Sequence, residues 1–156
     1  MQNDGLPITG SRPHARPARD QLSELLADLV KRTPDMLQAL LASGDGIKLA
    51  HTMDVDEADN LAALISPMYG LVRAQFAGAE GGVRQIVAEH DAGCLFISSA
   101  GVQSRNEELV GTLLAVVTAP QADAGQVAFE MGRFIKSLED HLLVGARRNL
   151  VSGDGL

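Results

Sequence analysis

Residues 59–77 read DNLAALISPMYGLVRAQFA, and no charged residue falls between Asp59 and Arg73. Leu61, Leu64, Ile65, Met68, Leu71, Val72 and Phe76 recur at three- and four-residue spacing, which predicts one wide apolar face of an amphipathic helix. Burying seven such side chains stabilises a fold by roughly 10–20 kcal/mol as an upper bound, so this face is expected on a sheet. Ala63, Ser66, Gly70, Ala74 and Ala77 make a second row of small residues. Small residues in register let a second helix approach closely, and a helix that is apolar or small all round is normally covered all round. One sheet covers one side only. The other side is expected to meet the same helix of a second copy across a two-fold axis, or else to be a solvated face on which small residues are tolerated. Pro67 removes one helical hydrogen bond, which predicts either a kink near residue 66 or a helix that Ser66-Pro67 caps and restarts.

Working outward, Asp54 followed by Glu57 predicts the N-cap of this helix, and Gly78 with Gly81-Gly82 predicts its end near Ala79. Upstream, Met36–Ala42 and Ile47–His51 flank Ser43-Gly44-Asp45-Gly46, a hairpin signal. Before that, Leu22, Leu25, Leu26, Leu29 and Val30 mark an amphipathic helix with Asp20 as its expected N-cap, stopped at Thr33-Pro34. Downstream, Val83–Glu89, Cys94–Ser99 and Thr112–Thr118 read as strands, with a loop expected over Ala100–Val110. Asp123 with Gln126 then opens a last helix, whose apolar face is Val127, Met131, Phe134, Ile135, Leu138 and Leu142. The order α-β-β-α-β-β-β-α predicts a single antiparallel sheet with helices on its faces, an α/β (α+β) domain. Its expected span is 20–144, between a disordered arm over 1–19 and a flexible tail over 145–156.

Charge is unevenly placed within a formal net of −7. The first 19 residues hold Arg12, Arg16 and Arg19 against Asp4, and the tail holds Arg147 and Arg148 against Asp154, so the body between them is strongly acidic. An acidic body repels phosphate backbones, and nucleic-acid binding is not expected. Cys94 stands alone, so no internal disulfide forms. There is no signal-peptide pattern and no apolar run long enough for a membrane span. A cytoplasmic protein is expected.

Catalytic patterns are missing from the sequence. Gly44-Asp45-Gly46 is a turn and not a phosphate loop, and no Walker or dinucleotide fingerprint follows a strand. His14, His51, His90 and His141 are scattered without metal-ligand spacing, and Cys94 has no basic neighbour to activate it. Asp54, Asp56, Glu57 and Asp59 crowd a helix start, where the dipole favours them as caps. No catalytic, cofactor-binding or metal-ligating residue is assigned. The candidate dimer or partner positions are Ala63, Ser66, Gly70, Arg73, Ala74 and Ala77 on the helix and Val83, Gln85 and Val87 on the strand after it. An edge strand there would have free backbone groups for a second copy to pair with.

Several strings, in order, resemble the Roadblock/dynein light-chain family, in particular its bacterial, actinobacterial branch. They are Leu25-Leu26-Ala27-Asp28-Leu29-Val30, Ala42-Ser43-Gly44-Asp45-Gly46, Asp59-Asn60-Leu61-Ala62-Ala63-Leu64, Gly82-Val83-Arg84-Gln85, and Ala124 through Met131. The resemblance implies a profilin-like five-stranded sheet of order 2-1-5-4-3, with the central helix on one face and two helices on the other. It implies a homodimer joined through second helices and third strands. It also implies a non-enzymatic scaffold or co-regulator of a Ras-like small GTPase, often beside a sensor kinase, with no cofactor. An interaction scaffold with another kind of partner, or a small-molecule sensor domain, are the alternatives.

Overall fold

A computed structural model of the chain describes residues 15–103 and 111–153, and the side chains of 19–101 and 111–141. Its elements are α1 (Ala15–Arg32), β1 (Met36–Ser43), β2 (Lys48–His51), α2 (Val55–Gln75), β3 (Gln85–His90), β4 (Gly93–Ser99), the single turn α3 (Ala100–Gln103), β5 (Thr112–Thr118) and α4 (Ala124–Gly153). The strands form one sheet of order β2-β1-β5-β4-β3, antiparallel at every pairing. The expected strand order and antiparallel sense are therefore the observed ones.

Strand residues alternate between the two faces, and here both faces are apolar. Ala39, Leu41, Phe96, Leu114 and Val116 point to the side that α1 and α4 cover with Leu26, Leu29, Val127, Met131, Phe134, Ile135 and Leu138. Leu40, Ala42, Ile97, Leu113 and Ala115 point to the other side, where α2 supplies Ala58, Ala62 and Ile65. The expected face of the last helix is thus correct from Val127 to Leu138, and the Leu142 side chain lies outside the described residues. One ion pair ties the two helices of the first face together: Arg32 Nε lies 3.0 Å from Glu130 Oε2.

Local chemistry explains the element ends. Asp54 accepts a hydrogen bond from the Glu57 N–H (2.9 Å) as the N-cap of α2, and Asp123 accepts one from Gln126 N–H (3.0 Å) at the start of α4. After α1, the Thr33 hydroxyl donates to the Leu29 carbonyl (2.8 Å), and Asp35 takes a positive φ of 63 before β1 begins. In the β1–β2 turn only Gly46 has positive φ; its N–H donates to Ser43 O (3.0 Å) while Ser43 N–H donates to Ile47 O (2.8 Å). That is a turn with a bulged glycine, not the two-residue turn in which both central residues have positive φ.

Several expectations need correcting. Helix α1 starts at Ala15, so Asp20 sits inside it and caps nothing; residues 1–14 of the expected arm lie outside the described residues. Helix α2 ends at Gln75 rather than near Ala79, and it runs unbroken through Pro67, so Ser66-Pro67 restarts no second segment. Strand β3 begins at Gln85, which leaves Val83 and Arg84 in the connection before it. A helical turn occupies Ala100–Gln103 where a loop was expected, and α4 continues past Gly145 to Gly153.

The largest correction concerns the face of α2. Leu64, Leu71 and Phe76 do not reach the sheet: they are 59%, 73% and 61% exposed. Ala58, Ala62 and Ile65 face it instead, flanked by Leu61, Met68 and Tyr69. At 100° per residue, Leu64 and Leu71 stand about a third of a turn from that line. The sheet face under α2 is already filled by Leu40, Ile97 and Leu113, so the helix approaches on its small residues.

One close approach gives a test. A Cβ on Gly93 would stand 2.4 Å from the Thr118 carbonyl oxygen, at the end of β4 where Cys94 pairs with Thr118. Gly93→Ala should destabilise the fold by about 2 kcal/mol or more, seen as a lower urea midpoint with an unchanged slope. A midpoint equal to that of the parent would contradict this packing.

Candidate dimer and partner interface

Helix α2 presents a continuous outward face. Ala63, Gly70 and Ala74 are all exposed, as is Arg73 near the helix end; Ala77, expected on the helix, is exposed but lies in the turn just past it. A Cβ placed on Gly70 would meet nothing within 4 Å. Pro67 lies among them, also exposed, and the exposed Leu64 and Leu71 flank the row. The result is an open apolar strip with a shallow floor of small residues and a raised leucine edge along one side. Ser66 does not belong to it. Its side chain is half-buried and donates to the Gly44 carbonyl oxygen, pinning the β1–β2 turn against the helix. Gly46 completes that contact, since a Cβ there would lie 3.6 Å from Ser66 Cβ.

The N-terminal end of the same helix is acidic. Glu57 accepts from Gln38 Nε2 (3.1 Å), and Asp59 pairs with Lys48. These contacts tie the helix start to β1 and β2, so the acidic residues have structural roles besides capping.

Strand β3 is an edge of the sheet, and its outer backbone groups have no neighbouring strand among the described residues. Gln85 pairs with Ser98 and Val87 with Phe96, which places both candidates on the face away from α2, since Phe96 packs with α1 and α4. Ile86 lies on the α2 face and packs beside Leu95 and Tyr69. Val87 is 44% exposed, and Gln85 is exposed with Nε2 3.4 Å from Ser98 Oγ. Val83 is half-buried.

Between the end of α2 and the start of β3 lies an open groove of about 420 Å³, lined by Val72, Phe76 and residues Ala79 to Gln85. Tyr69 holds its walls together, its hydroxyl donating to the Val83 carbonyl oxygen (3.2 Å). The structure therefore places the helix candidates on the outer side of α2 and Gln85 and Val87 on the opposite face of the sheet at its β3 edge, with Val83 in the connection between them and Ser66 turned inward. Sequence reasoning missed Leu64, Leu71 and Phe76 as surface residues, and it missed Tyr69 as the tie. Tyr69 was the one tyrosine in the chain, set within a stretch without charges, and that was the available signal.

Chemical groups elsewhere are quiet. Among the described residues no three His, Cys, Asp or Glu side chains are placed to hold a metal ion. His51 Nδ1 is 2.6 Å from the Met53 carbonyl oxygen, His90 Nδ1 accepts from the Ala92 N–H (2.9 Å), and Cys94 is half-buried opposite Glu89. No helix among the described residues is long and apolar enough to cross a membrane.

Comparison with known proteins gives a consistent picture. A family model described as the Roadblock/LC7 domain matches residues 22–118. The chain is similar to a Roadblock/LC7 domain from Streptomyces avermitilis: 38% identical, covering 78% of this chain and 97% of that one, with a TM-score of 0.69. It shares its fold with the gliding protein MglB from Thermus thermophilus, at 22% identity, 78% and 88% coverage and a TM-score of 0.64. Myxococcus xanthus MglB is a further fold match, at 12% identity, 80% and 90% coverage and a TM-score of 0.67. No curated protein sequence matches the chain.

The strip makes a separable prediction. Leu71 touches solvent over most of its surface, so Leu71→Asp should change unfolding stability of the isolated protomer by about 0.5 kcal/mol or less. If the strip is an interface, the same change should weaken self-association at least tenfold in sedimentation equilibrium. Loss of stability without loss of association would place Leu71 in the protomer core instead.

Proposed function

The chain belongs to the Roadblock/LC7 domain family, and from that membership we propose that it is a non-enzymatic regulator, a homodimer that binds a Ras-like small GTPase in the cytoplasm. The observation that carries this reading is the exposed apolar strip of α2 together with an edge strand, β3, whose start is tied to the helix end through Tyr69. Two such faces, joined about a two-fold axis, would extend the sheet across both protomers and set the two central helices side by side. Exposed leucines two helical turns apart suit such burial, and the shallow row of Ala63, Gly70 and Ala74 suits a close helix crossing.

A regulator of this kind works by binding. Its dimer would offer a platform whose preference for one nucleotide state of the GTPase shifts that state's population. It would do so beside a sensor kinase, as the family resemblance implies. No residue of this chain is assigned a role in phosphoryl transfer. Partner surfaces on the platform would combine the residual apolar rim with the acidic start of α2, where Asp56, Glu57 and Asp59 lie.

The test is biochemical. Ras-like GTPases from the same genome, beginning with any encoded next to this chain, are mixed with the purified protein, and nucleotide hydrolysis and exchange are followed. At least one should change rate severalfold, with the protein alone hydrolysing nothing. If no GTPase responds and none co-elutes, the partner is of another class. Introducing Gly70→Glu or Ala74→Glu should yield monomers and abolish the response together, because a charge placed in the helix contact has no counterion there.

A further inference from the structure

The backbone of β3 sets which of its groups point away from the sheet. Along an antiparallel pair, opposed residues alternate between those that exchange N–H and C=O groups and those that do not. Ser99 N–H donates to the Arg84 carbonyl oxygen (3.3 Å), one position before Gln85 pairs with Ser98. Arg84, Ile86, Ala88 and His90 therefore turn their backbone groups inward to β4, and Gln85, Val87 and Glu89 turn theirs outward. The hairpin agrees, since His90 pairs with Gly93 across the Asp91-Ala92 turn, as the closing hydrogen-bonded pair of a tight hairpin does. The opposite edge of the sheet is blunted. Strand β2 has 4 residues and carries Lys48, and its pairing with β1 shifts register between Leu41 and Ala42; shortness, a lysine and an irregular register all discourage strand addition. Strand β3 has 6 residues without Lys or Pro, in unbroken register with β4.

The residues of β3 are also ordered alike in both directions from Val87. Ile86 and Ala88 flank it, then Gln85 and Glu89, then Arg84 and His90. A two-fold contact between identical strands needs this kind of self-complementarity, because residue i meets j while j meets i. With outward groups on alternate residues, two copies of β3 pair antiparallel only in registers that put a residue on the axis, not a gap between two. Centring on Val87 engages every outward residue: Gln85 with the partner's Glu89, Val87 with the partner's Val87, and Glu89 with the partner's Gln85. Centring on Ile86 or Ala88 instead sets Val87 against the partner's Gln85 or the partner's Glu89. It also leaves one outward residue opposite a position outside the strand.

We propose that β3 takes up β3 of a second copy in the register centred on Val87. This rests on the homodimer reading and specifies its hydrogen bonding. On the face away from α2, Val87 meets the partner's Val87 at the axis, and Gln85 sets its amide opposite the carboxylate of the partner's Glu89. The Gln85 amide has two N–H groups; Nε2 is 3.4 Å from Ser98 Oγ, so one N–H serves Ser98 and the other the carboxylate. On the α2 face, Ile86 lies opposite the partner's Ala88 in a non-hydrogen-bonded pair, the kind in which the strands approach more closely.

The experiment is isotope-filtered NMR of the full-length protein, with dimers mixed from labelled and unlabelled copies and their mass followed by sedimentation. The register predicts an Hα–Hα contact between copies from Ile86 to the partner's Ala88. A contact from Ile86 to the partner's Ile86, or from Ala88 to the partner's Ala88, overturns the register. A dimer without any β3 contact between copies overturns the strand pairing while the homodimer stands, and a chain that stays monomeric overturns both. An exchange of side chains gives an independent reading. Gln85→Glu places like charges opposite each other twice across the axis and should weaken association about tenfold; adding Glu89→Gln should restore it, because the pair is then only exchanged. Within one strand these positions are about 14 Å apart, so the rescue has to come from the partner. Weakening without rescue overturns the proposal.

Discussion

The fold is organised by a mismatch of widths. Five strands at about 4.8 Å spacing make a sheet roughly 20 Å across, and a helix with its side chains is about 10 Å wide. Both faces of this sheet are apolar, so both need cover. Two helices cover one face. On the other, α2 alone packs over β1 and β2, and the β4–β3 side keeps Leu95 and Ile86 only partly buried. An uncovered half-face, an open edge strand and an exposed strip on the covering helix are one deficit seen in three places. On the proposed reading, a second copy about a two-fold axis would cover all of them at once.

Placement of α2 follows from the same shortage of cover. The helix comes close to the sheet because Ala58 and Ala62 face it, and that leaves its larger leucines, Leu64 and Leu71, turned outward. Bulky residues on a solvent-facing helix surface are unfavourable to leave in water, and here they border the row Ala63, Gly70 and Ala74. The contact that Ser66 makes with Gly44 and the one Tyr69 makes with Val83 fix the rotation of α2. The helix cannot roll its leucines inward without breaking both.

Much of this was legible in the residues, and the failures have definite causes. Strand β5 and the buried face of α4 followed from local pattern, because their apolar residues have only one way to be satisfied. The caps at Asp54 and Asp123 followed from short-range hydrogen bonding. The buried face of α2 did not. Ranking its positions by side-chain size favoured Leu64, Leu71 and Phe76, whereas the sheet selected by available space and took alanines. Asp20 resembled a cap because the apolar period starts at Leu22, yet α1 already begins at Ala15, before that period. At the interface, the Ala/Gly row was readable from spacing alone, but Ser66 was misassigned, since its partner at Gly44 is 22 residues away and no local pattern announces it.

On the proposed reading, a second copy of the chain covers the β3 edge and the outer face of α2. Amide hydrogen exchange of residues 83–90, followed across a wide range of protein concentration, tests it most directly. If the claim holds, these edge amides gain protection as concentration rises, in step with the population of dimer, while those of β2 at the other edge do not change. Fast exchange of residues 83–90 at every concentration, from a protein whose mass stays that of one chain, would contradict it.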